Sequence, residues 1–369
     1  AQLHQEWSAN LQNWRAKNPD KAQLLDRLQS RTLPEGWTST IPHFAAGAQI
    51  ATRKASGDVI NAIAERLPEF WGGSADLGES NLTTIEGASS FLPASSPLPT
   101  ADPYGRVIHF GIREFAMGAI LNGMALGGLT RPFGGTFLVF SDYMRGAVRL
   151  AALMNIPTTF VWTHDSIGVG EDGPTHQPIE HLWSLRAIPN FAVIRPADAN
   201  ETASAWQVVL EKNKPAGFAL SRQNLPVIDS PHTTNATLVS RGAYILADST
   251  QSPQVILLAS GSEVAIALEA RENLEAGGIA TRVVSTPCLD WFDEQDQTYR
   301  ESVLPSNVTA RVSIEAGIAQ GWWKYVGTQG ECVSIEHFGA SAGAGKLYAE
   351  FGLTADAVVS AAKKSLAKG

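Results

Sequence analysis

Of the 369 residues only two are cysteines, Cys288 and Cys332, and neither lies in a Cys-x-x-Cys pair. That excludes a disulfide framework; both read as buried thiols of a reducing compartment, the cytoplasm. Charge is sparse too, at 17% of residues, and acidic on balance, with a net charge of −8 and a pI near 5.5. Such a surface suits neither nucleic acid nor an anionic membrane. No apolar run approaches the roughly 20 residues of a membrane span. The opening stretch AQLHQEWSANLQNW does not have the pattern of a secretory signal. Internal repeats and low-complexity tracts are missing as well. What is present, 44% hydrophobic and 8% aromatic residues, is ample for about two or three packed domains.

Residues 1 to about 30 carry Trp7, Leu11, Trp14, Leu24, Leu25 and Leu28 at helical spacing, and Asn18-Pro19 divides the run into two helices. A loop with Pro34, Gly36 and Pro42 follows. From about 48 to 230 the pattern alternates: helix 56–67, strand 70–74, strand 107–111, helix 112–127, strand 136–140, and helix 142–154 with Ser141 as its cap. Strands 158–163 and 191–195, helix 200–213 behind Asp198, and strand 217–222 complete the series. Strands separated by helices predict a parallel sheet covered on both faces, with ligands at the carboxyl ends of its strands. The stretch 225–235, with Pro226 and Pro231 among small polar residues, has the composition of a connection between domains. A second alternation follows: strand 254–259, helix 262–276 closed by Gly277-Gly278, strands 281–284 and 311–314, and a helical tail from Ala355. The fold class is therefore α/β: two domains with mostly parallel sheets flanked by helices, preceded by a helical linker. The boundaries are 1–47, 48–235 and 236–369.

Several motifs fail on their context. Gly168-Val-Gly-Glu-Asp-Gly173 matches GxGxxG, but Pro174 follows and no helix opens there, so it is no dinucleotide fingerprint. Gly339-Ala-Ser-Ala-Gly343 has the nucleophile-elbow pattern, yet a hydrolase of that type needs a histidine downstream, and the last histidine is His337. His176 and His181 stand five apart with no cysteine or third histidine close in sequence, so no metal site is read.

Two stretches carry chemistry. In Val107-Ile-His-Phe-Gly-Ile-Arg-Glu-Phe-Ala-Met-Gly-Ala-Ile120 a short strand runs into a helix on which Ile112, Phe115, Ala116, Ala119, Ile120 and Met124 recur at helical spacing. One carboxylate, Glu114, sits in the first turn, where the helix dipole alone favours an anion by ~0.3–1 kcal/mol. Thr163-His-Asp-Ser-Ile-Gly-Val-Gly-Glu-Asp-Gly-Pro-Thr-His-Gln-Pro178 places two histidines, three acids and three glycines after a predicted strand. That is more polar and flexible material than a structural turn needs, and loops are where scaffolded folds place function.

Both stretches resemble the transketolases, thiamine-diphosphate enzymes, and the resemblance runs from about residue 5 to the end. It implies that Glu114 hydrogen-bonds the cofactor's aminopyrimidine ring and activates the cofactor. Buried there, its carboxyl would be raised toward sharing a proton near neutral pH. Phe137, Phe140 and Tyr143 would form the wall around that ring, with Asp76 nearby; by spacing alone these aromatics read as core. His164 would reach the substrate phosphate, Asp172 the hydroxyl beside the substrate carbonyl, and His176, with Glu114 the other catalytic residue, the donor's reacting end. Arg53 in Thr-Arg-Lys-Ala-Ser, Ser80 in Gly-Gly-Ser-Ala-Asp-Leu-Gly-Glu-Ser-Asn-Leu-Thr and Arg222 in Ser-Arg-Gln-Asn-Leu resemble the family's sugar-phosphate anchors; guanidinium forks suit a phosphate dianion.

The implied reaction moves a two-carbon ketol unit from a ketose phosphate to an aldose phosphate. The resemblance covers only the C-terminal two thirds of a transketolase. The family's diphosphate-binding domain, with its Gly-Asp-Gly segment and the ligands of a Mg2+ or Ca2+ ion, has no counterpart, and no Gly-Asp-Gly occurs here. The implied partner is a second copy of this chain or a diphosphate-binding domain, without which activity is not expected. Alternatives are the β-type subunit of another thiamine enzyme, such as a 2-oxo acid dehydrogenase or a deoxyxylulose-phosphate synthase, and a non-catalytic dimerising fragment. The long loop between His164 and His176 and the paired arginines favour sugar phosphates.

Overall fold

The computed structural model describes residues 1–368. Its first sheet has eight strands, all parallel, in the order Ala101–Asp102, Ser90–Phe91, Val107–His109, Phe70–Ser74, Arg131–Phe137, Thr159–Thr163, Ala216–Leu220 and Ala192–Ile194. The central strands Arg131–Phe137, Thr159–Thr163 and Ala216–Leu220 are buried along their whole length, because helices cover both faces. The second sheet has five strands: Tyr244–Ala247 at one edge, then Thr281–Ser285, Val255–Ala259, Arg311–Ile314 and Glu331–Val333. All of its pairs are parallel except that of the edge strand Tyr244–Ala247. Helices Gln2–Lys17 and Pro19–Ser30 precede both sheets. The fold class is thus as read from the sequence, and no helix among the described residues is long and apolar enough to cross a membrane.

Three expectations change. The strand read at 136–140 is Arg131–Phe137, followed by a 3-10 turn at Leu138–Phe140. Pro132, Gly134 and Gly135 hide the strand from a propensity reading; at Gly134 a Cβ would stand 2.5 Å from Leu121 Cδ1, so glycine lets helix Glu114–Gly127 pack directly on the strand. Ser141 is the first residue of helix Ser141–Met154 rather than its cap, since the 3-10 turn runs straight in and the Ser141 amide donates to the Leu138 carbonyl. Of the two cysteines Cys288 is buried, but Cys332 is only half-buried.

Helix Glu114–Gly127 departs from expectation in a more informative way. It packs inward through Met117, Gly118, Leu121, Asn122 and Ala125, while the periodic residues Ile112, Phe115 and Ile120 are 78%, 56% and 48% exposed. The helix is apolar on both sides, so helical period alone did not identify the buried face. Its neighbour Ser141–Met154 also exposes Leu150 and Leu153.

Candidate functional site

Five adjacent strands of the first sheet end on the same side, and each is followed by candidate residues. Phe70–Ser74 leads to Asp76 and Ser80, Val107–His109 to Glu114, Arg131–Phe137 to Phe140 and Tyr143, Thr159–Thr163 to His164, Asp172 and His176, and Ala216–Leu220 to Arg222. Side chains more than a hundred residues apart in sequence thereby meet at one carboxyl edge, where open α/β sheets bind ligands.

Arg53 reaches this edge from helix Thr52–Arg66. The Ser221 amide donates to Thr52 Oγ1 at 2.7 Å and the Thr52 amide to Ser221 Oγ at 3.0 Å, so Arg53 and Arg222 are held side by side. Arg53 also donates to the Ser80 carbonyl, which brings Ser80 in. Neither arginine has a carboxylate partner among the described residues, and burial and then the Arg222 charge push the Arg53 guanidinium down. Next to them His164 is 3% exposed. Burial, then Arg53, Arg222 and His176, depress its imidazole to about 3. It is therefore neutral at ordinary pH, and its Nδ1 lies 2.8 Å from Thr163 Oγ1, which donates to Asn81 Oδ1.

His164 stacks on Phe137 with ring centroids 3.7 Å apart. His176 stands edge-on to Phe140 and Phe137, at 5.6 and 6.3 Å, and Tyr143 lies 6.0 Å from Phe140. One aromatic and imidazole cluster thus joins His164, His176, Phe137, Phe140 and Tyr143. Phe137 is buried, Phe140 half-buried and Tyr143 67% exposed, so the outer part of the wall is open for a ring to stack on. Asp76 and Ser80 line a cavity of about 440 Å³ with Gly73, Ser74, His109 and Gly111. Asp172 is exposed on its loop. Glu114 opens helix Glu114–Gly127 and is half-buried; it makes no side-chain hydrogen bond or ion pair with the described residues. The burial anticipated for it is incomplete in this single chain.

Asn81, under His164, was not picked out from the sequence, nor was Gln223, which buries both amide atoms without a partner. Gln223 sits in the same Ser-Arg-Gln-Asn-Leu run as Arg222, the one signal pointing to it. Asp142, Glu180 and His181 bring ligand atoms within 4.8 Å of one another. The carboxylates face opposite ring nitrogens, Asp142 at 3.1 Å from Nε2 and Glu180 at 3.7 Å from Nδ1, which suits an oriented imidazole better than one ion.

Residues 48–227 match the transketolase pyrimidine binding domain, and residues 242–354 match the transketolase-like TK C-terminal domain. The chain belongs to the transketolase family. It is 54% identical over 376 residues to the transketolase of Mycobacterium tuberculosis (strain ATCC 25618 / H37Rv), covering 99% of this chain and 53% of that protein. The transketolase of Leishmania mexicana superposes with a TM-score of 0.91 at 42% identity, covering 99% of this chain and 52% of that one. A structure described as a split gene transketolase, inactive β4 tetramer, has a TM-score of 0.68 at 26% identity, and the match covers 86% of this chain and 99% of that one. The chain spans about half the length of the curated transketolases it matches, not two thirds.

Thiamine diphosphate, the cofactor this family implies, fits only in part. An unpaired carboxyl at Glu114 and a half-open aromatic wall suit its aminopyrimidine end. The one group of possible metal ligands among the described residues, Asp142, Glu180 and His181, has its carboxylates on opposite ring nitrogens and does not suit the metal ion of a diphosphate.

Proposed function

We propose that this chain is the aminopyrimidine- and sugar-phosphate-binding half of a transketolase, divided as 1–47, 48–235 and 236–369. The observation that carries the reading is the convergence of Arg53, Arg222 and neutral His164 without a carboxylate. Two guanidiniums held together with no counter-charge repel each other, and a phosphate dianion removes that cost while accepting forked hydrogen bonds. Bound, the cofactor supplies the nucleophilic carbon and electron sink of ketol transfer. Glu114 would hydrogen-bond its ring, with Phe137, Phe140 and Tyr143 packing the ring and Asp76 nearby. Arg53, Ser80, Arg222 and His164 anchor the substrate phosphate. Asp172 orients the hydroxyl next to the carbonyl, and His176 hydrogen-bonds the donor's reacting end.

The exposed apolar surface of Ile112, Phe115 and Ile120 next to Leu150 and Leu153 supports pairing with a second copy, which would also complete the burial of Glu114. The split-gene neighbour, described as inactive and matched over nearly its whole length, supports activity only with a separate diphosphate-binding half that brings Mg2+ or Ca2+. The setting is cytoplasmic and the substrates are pentose-phosphate-type sugars. The test compares ketol transfer and thiamine diphosphate binding by the chain alone and mixed with a Gly-Asp-Gly-containing half. Transfer only in the mixture is expected. Micromolar, metal-dependent binding of the cofactor by the chain alone would overturn the half-site reading.

A further inference from the structure

The second α/β unit contributes no side chain to the candidate site, yet it grips the loop that does. His164 adopts φ +62°, a left-handed conformation that a non-glycine residue keeps only where its surroundings enforce it. On one side Thr163 is tied to Asn81. On the other, Asp165 Oδ2 accepts from Arg195 Nε at 2.8 Å in a fully buried ion pair, and Arg195 also donates to Glu263 and to the Ser260 carbonyl. Tyr348 OH donates to Glu263 Oε1 at 2.8 Å and lies 3.3 Å from Ser166 Oγ. At the far end Gln177 Nε2 donates both to the Gly170 carbonyl, within the loop, and to the Ala340 carbonyl at 3.0 Å. The Ile318 amide then donates to the Ile179 carbonyl at 3.2 Å. Ser260, Glu263, Ile318, Ala340 and Tyr348 all belong to the second unit.

We infer that the second unit is a clamp that holds residues 164–178 in substrate-binding geometry, with Arg195, Tyr348 and Gln177 as positioning residues. The inference rests on reading that loop as the substrate loop. A buried ion pair at one end and hydrogen bonds at the other leave the loop's middle, with Asp172, at the surface, while His164 and His176 are fixed against Phe137 and Phe140. A hydrophobic junction of the same area would attach the two units but would not fix the His164 backbone, because apolar contacts are non-directional.

The test uses the whole chain, with Tyr348→Phe as the first variant, since it removes one hydroxyl and keeps the ring. Gly339→Ala is the second, because a Cβ there collides with Gln177 Oε1. Tyr299→Phe serves as control; it loses a hydroxyl bond to the Ala243 carbonyl within the second unit, away from the loop. Amide exchange across 164–178 should rise about tenfold in both variants, the loss of roughly one hydrogen bond. Strand Thr159–Thr163 and the control should not change. The His164 ring resonance should titrate at a different pH, and inorganic phosphate should bind more weakly. Loop exchange as slow as the parent's in a folded Tyr348→Phe or Gly339→Ala protein overturns the clamp. Failure of the parent to bind phosphate counts instead against the sugar-phosphate reading, and loop exchange then decides the clamp alone.

Discussion

The two sheets are built alike and end differently. Both have fully buried parallel central strands, such as Thr159–Thr163 in the first and Val255–Ala259 in the second, and both place polar residues just beyond their carboxyl ends. At the second sheet these groups are paired within the chain, in part with Arg186 of the first unit. Glu315, directly after strand Arg311–Ile314, accepts from Arg186 at 2.8 and 2.8 Å, from Trp322 Nε1 at 2.9 Å and from Ser260 at 2.5 Å. Burial raises its carboxyl, but Arg186 and Arg195 overcome that and hold it at about 2. At the first sheet Arg53, Arg222 and Asp172 have no such partner. A buried network in which each charge has a counter-charge holds structure together; unpaired charge at a strand end calls for a ligand.

Acid should separate the two edges most strongly. His164 sits at about 3 in the folded chain against 6.5 when unfolded, so the unfolded state binds the extra proton. The stability this confers is present above pH 6.5 and lost as pH falls toward 3, at about 1.4 kcal/mol per unit, so up to about 5 kcal/mol. Chemical denaturation of parent and His164→Gln between pH 7 and about pH 4 should show a much larger acid loss in the parent, with Glu315 adding the same small loss to both near pH 4. Parallel curves would mean that His164 is solvated and the edge looser than described.

Next in size is the junction. Arg195→Met leaves Asp165 and Glu263 buried without their counter-charge and should cost about 3–5 kcal/mol in unfolding free energy. A cost below about 1 kcal/mol would mean that the network is hydrated, and the contrast between the edges would fail.

The smallest effect is the most specific. Arg222→Ala, at an exposed unpaired position, should change folding stability by less than about 0.5 kcal/mol. Arg222→Ala or Arg53→Ala in the reconstituted enzyme should weaken a phosphorylated acceptor by about 1.5–3 kcal/mol, mainly in KM. Glycolaldehyde, which carries no phosphate, should respond little. An unchanged ratio of phosphorylated to unphosphorylated acceptor would make both arginines structural.

Much of this was legible in the chain because it depends on local physics. Asp198 caps helix Ala199–Lys212 by accepting from the Glu201 amide, and strand Arg311–Ile314 and the tail Ala355–Leu366 lie where period and propensity put them. Strand Arg131–Phe137 was misplaced because its glycines serve a helix packed against it, a demand set from outside the segment. Strands Tyr244–Ala247 and Glu331–Val333 were missed; they are short edge strands defined by pairing rather than by their own pattern.

The α/β class, the alternation of elements and the motifs around Glu114 and residues 163–178 can be read from the chain alone, because side-chain period and motif spacing are properties of the chain. Packing alone shows that Arg53 and Arg222 stand together without a counter-charge, that helix Glu114–Gly127 leaves one apolar side uncovered, and that Asp165, one residue beyond His164, is locked to Arg195. Such facts depend on which strands neighbour one another and which faces are covered, and those choices are made by packing across more than a hundred residues rather than by any local stretch.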